Sequence, residues 1–144
     1  MKHIQRAIAL SGLLVLLTFT SALAQSDRQT IIHIPFNFTV GEKMFSAGKY
    51  VIESNRKDTS TVWKIRHKDG SDAAFVMTRP VYSVDVQEKT KLVFRRYEDL
   101  YFLSEVWSAG SVTGREIQIS DREKALDKVL ASKRQETILI AEGK

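Results

Sequence analysis

Residues 32–40 alternate strictly between apolar and polar positions, and this pattern constrains the fold more than any other feature of the sequence. Apolar side chains occupy every second position from Ile32 to Val40. A period of two over nine residues predicts a β-strand with one buried face. Pro35 lies inside the pattern and lacks a backbone N–H, so we expect an edge or a bulge at that point.

Two tight turns predict β-hairpins farther along the chain. Asp69-Gly70 favours a type I′ turn, and Glu98-Asp99 joins residues 91–97 to residues 100–107. The first turn predicts the pairs Trp63–Val76, Ile65–Ala74 and His67–Asp72, the last as a weak ion pair. The second predicts the pairs Arg96–Tyr101, Phe94–Leu103 and Leu92–Glu105. Both faces of the second hairpin mix apolar and charged residues, so the pattern leaves open which face is buried.

Shorter segments complete a β-rich pattern. Pro80 is expected to end the strand that follows the first turn. Further strands are predicted over residues 50–52, 81–86, 115–119 and 137–141.

A single helix is predicted to begin after Ser120. Ser120 and Glu123 match a capping box, in which each side chain satisfies a free backbone N–H of the other residue. An apolar stripe should pack this helix on the sheet. The stripe consists of Ala125, Leu126, Val129 and Leu130.

Residues 1–24 have the pattern of a secretory signal peptide. A basic start with Lys2 and Arg6 precedes an apolar run, and small residues end the segment, which predicts cleavage between Ala24 and Gln25. The run is too short to span a bilayer comfortably, although a retained N-terminal anchor is the alternative. We therefore expect one β-rich domain over residues 25–144, periplasmic or secreted, without a stable membrane anchor after cleavage.

The absence of cysteine excludes disulfides, thiol chemistry and lipid attachment through cysteine. The net charge falls from +5 to about +3 when Lys2 and Arg6 are removed, and the basic residues are spread along the chain. Proteins that bind nucleic acids usually carry a clustered basic face. Because the basic residues of this chain are not clustered, a nucleic-acid partner is not expected.

Two segments show a family resemblance. Residues 34–41 (IPFNFTVG) with residues 45–52 (FSAGKYVI), and residues 96–107 (RYEDLYFLSEVW) with the helix start, resemble small secreted proteins of soil bacteria. The likeness covers most of residues 25–144. The family has no established activity, so the resemblance implies no catalytic residue.

Catalytic and metal-binding patterns are weak. After residue 24 only His33 and His67 could supply imidazole ligands, and they lie in different predicted strands, so no metal or other cofactor is expected. Nucleophile and phosphate-binding motifs are absent. Seventeen acidic residues leave a hydrolase with paired carboxylates as a third functional hypothesis.

One hairpin face supplies the candidate binding site. A two-residue turn at Glu98-Asp99 would project polar and aromatic groups among Leu92, Phe94 and Leu103, as in a small-molecule pocket. A simple stacking pair of Arg96 and Tyr101 at the hairpin end is the alternative. The candidate residues are Arg96, Tyr101, Glu105 and Trp107.

The sequence thus predicts an antiparallel β-barrel or curved β-sandwich of about eight strands with one C-terminal helix. The leading functional hypothesis is a non-enzymatic binding module for a small apolar or amphipathic ligand. The alternative is a structural or protein-interaction module that docks an envelope protein, which would show an open sheet edge or an exposed apolar patch.

Overall fold

The described part of the chain folds into one open β-sheet with a C-terminal helix. The structure is a computed structural model, and it describes residues 30–54 and 61–140. The predicted signal peptide and its cleavage point lie outside the described residues. The described residues form ten strands, the helix α1 (Asp121–Leu130) and a short 3₁₀ turn (Ala131–Lys133). The strands are β1 (Thr30–Ile34), β2 (Phe38–Val40), β3 (Lys43–Phe45), β4 (Gly48–Ser54), β5 (Val62–His67), β6 (Ala73–Tyr82), β7 (Lys91–Tyr97), β8 (Leu100–Trp107), β9 (Thr113–Ile117) and β10 (Arg134–Ile140).

The mainly β prediction with one C-terminal helix is confirmed, but the strands do not close into a barrel. Strand neighbours follow the order β1-β4-β5-β6-β9-β8-β2-β3, and β7 lies between β8 and β10. The described residues form ten strands rather than about eight, because short segments around residues 38–45 pair as a separate hairpin.

Strand β6 joins the two parts of the sheet. Its first half pairs with β5 from Ala73 to Met77, and its second half pairs with β9 from Thr78 to Tyr82. The prediction that Pro80 ends the strand is therefore wrong. The backbone groups of Met77 and Ser83 form hydrogen bonds on the β9 side of the strand, and this direction alternates from residue to residue. The backbone nitrogen of Pro80 therefore points away from β9, and its missing N–H removes no hydrogen bond to β9.

The alternating segment over residues 32–40 is divided at Pro35, between β1 and β2. Strand β1 pairs with β4, whereas β2 pairs with β3 and makes one parallel contact with β8. The alternation itself is confirmed, because its apolar residues point into one core. That core contains Ile32, Ile34, Phe38, Val40, Phe45, Tyr50, Ile52, Ile65, Val76, Leu92, Phe94, Leu103, Val106 and Ile117.

The first hairpin has the predicted register. Ile65 pairs with Ala74 and Trp63 with Val76. The type I′ turn is not formed, since of its two central residues only Gly70 has a positive φ, of 81°. A hydrogen bond from the Gly70 N–H to the His67 carbonyl closes a β-turn one residue earlier instead, with Lys68 and Asp69 at its centre.

Helix α1 begins as predicted but packs differently. The Ser120 hydroxyl accepts a hydrogen bond from the Glu123 N–H at 3.2 Å, which forms half of the capping box. The Glu123 side chain binds Arg95 of β7 instead of returning to Ser120. Ala125 and Val129 of the predicted stripe are exposed. The side facing the sheet combines carboxylates with leucines, at Glu123, Leu126, Asp127 and Leu130.

The remaining segments shift by a few residues. The strand predicted over residues 81–86 contributes only Val81 and Tyr82, as the end of β6, and a loop follows. Strands β4, β9 and β10 overlap the strands predicted over residues 50–52, 115–119 and 137–141.

Candidate functional site

Arg96 and Tyr101, two of the four predicted site residues, lie together. They are cross-strand partners in β7 and β8, and the Arg96 guanidinium carbon lies 5.3 Å from the centre of the Tyr101 ring. The Tyr101 ring also stacks on Phe36, with ring centres 4.0 Å apart. The Arg96 Nε donates a hydrogen bond to the Glu98 carbonyl at 2.6 Å. This geometry corresponds to the stacking pair considered as the alternative to a pocket.

A β-bulge separates Glu105 and Trp107 from that pair. The register shifts between Val93 and Phe94, so that Leu92 faces Val106 and Val93 faces Glu105. The predicted pair of Leu92 with Glu105 is therefore wrong. Ser104 is the additional residue, and its hydroxyl donates a hydrogen bond to the Val93 carbonyl at 2.9 Å.

The bulge moves Glu105 and Trp107 to the opposite face of the sheet from Tyr101, because side chains alternate along a strand. The Trp107 indole donates a hydrogen bond to Glu105 at 2.7 Å, and the Lys91 ammonium lies 5.4 Å from the Trp107 ring. The four predicted residues thus form two separate pairs rather than one constellation.

The face of Phe94 and Leu103 belongs to the packed core. Phe94 is fully buried, and the rings of Phe36 and Phe38 meet it edge-on with centres 5.2 and 5.7 Å away. Side chains therefore fill the space in which the sequence pattern predicted a ligand.

A groove of about 350 Å³ lies elsewhere, between β6 and the start of α1. Apolar side chains form much of its surface, and charged residues stand at its rim. The groove is lined by Gly41, Glu42, Phe75, Val76, Met77, Ile117, Gln118, Ile119, Ser120, Asp121 and Lys124.

Two large apolar residues of β6 are exposed at this groove. Phe75 is 71 % exposed and Met77 is 59 % exposed. They alternate with the core residue Val76, so they lie on the outer face of the sheet. The Lys64 ammonium lies 5.8 Å from the Phe75 ring on that face. The alternation along β6 puts Phe75 and Met77 on one face, but nothing in the sequence indicates that this face borders a groove.

The backbone of Phe75 also faces the groove edge. The backbone N–H of His67 donates to the Asp72 carbonyl, and that of Thr78 donates to the Thr61 carbonyl. In the first half of β6 the even-numbered residues therefore form the backbone hydrogen bonds to β5. The Phe75 N–H and C=O consequently point to the opposite edge. Among the described residues no strand pairs with that edge before Met77.

The two neighbours of Phe75 along the edge have partners. The Lys43 ammonium donates to the Ala73 carbonyl at 3.0 Å, and the Gln118 N–H donates to the Met77 carbonyl at 3.4 Å. Strand β9 ends at Ile117 and the chain then turns into α1. This departure leaves a gap in the sheet that is one residue pair long and centred on Phe75.

The rim of the groove carries charges of both signs. The Glu42 carboxylate accepts a hydrogen bond from the Asp121 N–H at 3.0 Å, which ties the β2–β3 turn to the first turn of α1. Lys124 binds the Asp121 carboxylate at 2.9 Å. This contact lowers the pKa of Asp121, which is also favoured as an anion at a helix N-terminus.

A second polar cluster lies beneath α1. Arg95 binds Glu123, which is 3 % exposed, and the Tyr97 hydroxyl donates a hydrogen bond to Asp127 at 3.0 Å. Arg134 binds the same Asp127 carboxylate at 3.1 Å. Desolvation, together with the hydrogen bond to Asp127, raises the pKa of Tyr97 to about 12. These contacts fasten the helix to the sheet.

The histidine pairing differs from the prediction. The His67 ring nitrogen Nδ1 lies 2.6 Å from Asp69, while Asp72 binds Lys43. Hydrogen bonds from Ser71, with a further contribution from His67, lower the pKa of Asp69 to about 2. Within residues 30–54 and 61–140, no three histidine or acidic side chains are grouped as a metal site would require.

No protein-family model, curated protein or solved structure matches the chain. In the part of the chain that the structure describes, no helix has the length and apolar character needed to cross a membrane.

Proposed function

We propose that the protein is a non-enzymatic interaction module that binds a segment of polypeptide in the groove beside β6. The observation that carries this proposal is that the N–H and C=O of Phe75 have no strand partner at the groove edge, beside the exposed apolar side chains of Phe75 and Met77. Proteins usually cover or charge such an edge, because it can pair with another chain.

An extended polypeptide matches this surface in two ways. Its backbone carries an N–H and a C=O on the same side of alternate residues, and these can bond to the Phe75 carbonyl and N–H. Its side chains would then contact Phe75 and Met77, whose exposed apolar area gives affinity. Only one residue pair fits the gap, so side-chain contacts rather than a long ladder would determine specificity.

The same groove supports a second candidate function, binding of a small apolar or amphipathic ligand. Its volume of about 350 Å³ and its apolar lining lie at the lower end of the range for ligand pockets. This candidate retains the leading sequence hypothesis but moves the site away from Arg96, Tyr101, Glu105 and Trp107.

The hydrolase hypothesis is not carried further. Glu123 and Asp127 both contact the Tyr97 hydroxyl, but each also binds an arginine, and Glu123 is buried beneath α1. A general acid or base must reach a proton on the substrate. This pair is therefore better explained as an attachment of the helix.

Selection of short random peptides displayed on phage tests the proposal. The purified protein is the bait, and Met77→Glu is the counter-selection bait, since a carboxylate at the groove would be desolvated by an apolar peptide. We expect peptides that bind the wild type and lose about tenfold or more in affinity for Met77→Glu. Val129→Glu is the matched control, because Val129 is 79 % exposed on α1 and does not line the groove.

Two outcomes contradict the polypeptide proposal. One is the recovery of only those peptides that bind Met77→Glu and the wild type equally. The other is native mass spectrometry of the purified protein that shows a bound lipid or pigment, lost in Met77→Glu but retained in Val129→Glu. The second outcome would support the small-ligand candidate instead.

A further inference from the structure

The open edge of β6 beside the groove has three residues whose backbone groups point away from β5. They are Ala73, Phe75 and Met77, because the even-numbered residues between them bond to β5. Phe75 has no strand partner on this side, and the Met77 carbonyl accepts a hydrogen bond from the Gln118 N–H. At Ala73, two charged side chains take the place of a neighbouring strand.

One ion pair occupies both backbone groups of Ala73. The Ala73 N–H donates to the Asp72 Oδ1 at 3.0 Å, and the Lys43 Nζ donates to the Ala73 carbonyl at 3.0 Å. Lys43 and Asp72 also bind each other through the same Oδ1 atom. The pair therefore supplies one acceptor and one donor to Ala73, as a residue of an antiparallel strand would. We call Lys43 and Asp72 the edge cap.

The β2–β3 turn brings Lys43 to this edge. Gly41 has a positive φ of 61° in that turn, a conformation that glycine adopts without strain. The next residue, Glu42, accepts a hydrogen bond from the Asp121 N–H at 3.0 Å, and Lys43 pairs with Val40 across the hairpin. Adjacent side chains of one turn are thus attached to α1 and to β6, one on each side of the groove. Contacts outside β6 therefore hold the edge cap in place.

A contribution to stability alone explains the edge cap poorly. The side chains of Lys43 and Asp72 are 46 % and 37 % exposed, and ion pairs with such exposure contribute little to the free energy of unfolding. Lysine at a sheet edge more often acts against unwanted strand pairing, because its charge must move before another backbone can approach. Here the lysine also occupies the carbonyl to which that backbone would bind.

We propose that the edge cap sets the length of polypeptide backbone that the groove accepts. This inference rests on the proposed function and identifies its specificity-determining residues, Lys43 and Asp72. Of the three edge residues in the described part of the chain, only Phe75 keeps both its N–H and its C=O free. A segment that also paired with Ala73 would have to displace both hydrogen bonds of the edge cap, and the Lys43 ammonium would lose its carbonyl acceptor.

This limit separates two kinds of binding. A segment held by one residue pair gains most of its affinity from side chains that contact Phe75 and Met77, so its sequence matters. A longer ladder would bind through backbone groups, which every sequence carries. The edge cap therefore favours recognition of particular side chains over general addition of β-strands, including strands of unfolded proteins.

The experiment compares the wild type with the double variant Lys43→Met, Asp72→Ala. Methionine retains an unbranched stem without the ammonium, and alanine removes the carboxylate, so both backbone groups of Ala73 become free. Peptides displayed on phage are selected separately against each protein. One peptide from each selection is then synthesised with single N-methyl groups along its backbone, each of which removes one N–H donor and leaves the side chains unchanged.

The two proteins should differ in the number of sensitive backbone positions. In the wild type, N-methylation should weaken binding at one position, the N–H that faces the Phe75 carbonyl. The double variant should show a second sensitive position two residues away, facing the Ala73 carbonyl, because alternate residues of a strand bond to the same edge. It should also bind the peptide selected on the wild type about tenfold more tightly, as expected for two additional hydrogen bonds.

Two controls separate the edge cap from a general effect of charge removal. Lys43→Arg should behave as the wild type, because arginine keeps a donor for the Ala73 carbonyl and a charge for Asp72. Glu53→Ala, Arg66→Met removes an ion pair of 2.8 Å that joins β4 to β5, away from the free edge of β6, and should also behave as the wild type. If circular dichroism shows the double variant to be unfolded, Lys43→Met alone gives the same readout, because it frees the carbonyl.

Each outcome bears separately on the edge cap and on the proposed function. A single sensitive position in the double variant, with unchanged affinity, would overturn the inference and leave the proposed function standing. Peptides recovered by the double variant alone would support the edge cap and contradict the proposed function of the wild type. If neither protein recovers peptides, both fail, because the edge without its cap would then bind no backbone.

Discussion

Arg95 in β7 and Glu123 in α1 form a two-point ion pair beneath the helix, through the Nε–Oε1 and Nη2–Oε2 contacts, the second at 3.2 Å. Glu123 is almost completely buried, and the Arg95 side chain is 16 % exposed. A buried pair of this kind adds to the apolar contact of Leu126 and Leu130, by which amphipathic helices usually attach to a sheet.

Removing one partner of this pair should destabilise the fold strongly. Glu123→Gln leaves the Arg95 charge buried without its counterion, and we expect a loss of about 3 kcal/mol or more in the free energy of unfolding. Urea denaturation followed by circular dichroism measures it. The double variant Arg95→Met, Glu123→Leu should recover much of the loss, because an apolar pair needs no desolvation of charge.

Arg79→Gln is the control for that comparison. Arg79 binds Glu116 through an exposed contact, and its side chain is 67 % exposed. Solvent screens such a pair, so no measurable change is expected. Equal losses from Glu123→Gln and Arg79→Gln would contradict the assignment of Glu123 as the helix attachment.

Tyr97 should make stability depend on alkaline pH. Its pKa is about 12 in the folded protein, above the ordinary value of 10, so the folded state favours the neutral phenol. The stabilisation of the folded state by the neutral phenol is fully present below pH 10 and is lost as the pH rises towards 12. The difference in unfolding free energy between wild type and Tyr97→Phe should therefore shrink across this window. A difference that stays constant from neutral pH to pH 12 would argue against the buried hydroxyl contacts.

Deletion of Ser104 tests the β-bulge. Without the additional residue, Leu103 and Glu105 would be adjacent, so the pairs Phe94–Leu103 and Val93–Glu105 would continue as a regular ladder with Glu105 still facing away from the core. We therefore expect the deletion variant to remain soluble and folded, with the bulge removed. Ser104→Ala keeps the bulge and loses one buried hydrogen bond, at a cost of about 1 kcal/mol. Urea denaturation followed by circular dichroism measures both variants, and a deletion variant that fails to fold would contradict this placement of Glu105.

Gly114→Ala should disturb the packing of Trp107. A Cβ at position 114 would lie 2.5 Å from the indole ring, which is closer than side chains approach. We expect a loss of about 1–3 kcal/mol and a red shift of tryptophan emission as the ring moves. Gly114→Ala combined with Trp107→Leu should cost less than the sum of the single changes, and strict additivity would contradict the contact.

Local pattern was sufficient for much of the fold. The alternation from Ile32 to Val40 identified the core-facing side chains, and Ser120 identified the start of the helix, because both depend on neighbouring residues. The bulge at Ser104 could not be read in this way. Alternation on both strands of that hairpin is compatible with either register, and the choice depends on which side chains the rest of the core covers.

The groove could not be predicted from the sequence either, because distant segments of the chain form it. Alternation alone puts Phe75 and Met77 on one strand face, but the groove also requires Glu42 and Lys124, which are distant from β6 in the sequence. The orientation of helix α1 on the sheet could not be predicted from local sequence for the same reason. Its apolar stripe predicted Val129 as a contact residue, whereas the partners that decide its orientation are Arg95 and Tyr97, on a strand.

The divided pairing of β6 has a consequence for the order in which the fold can be completed. Strands β4, β5 and β6 follow one another, so the first half of β6 can find its partner through local contacts alone. The second half has no partner until β9 is available, which is after the entire β7–β8 hairpin. Closing that long-range pairing is entropically slow. We therefore expect the β4–β6 meander to gain hydrogen-exchange protection first during folding. The pairing of β6 with β9 should then join the two parts of the sheet, so that they unfold together.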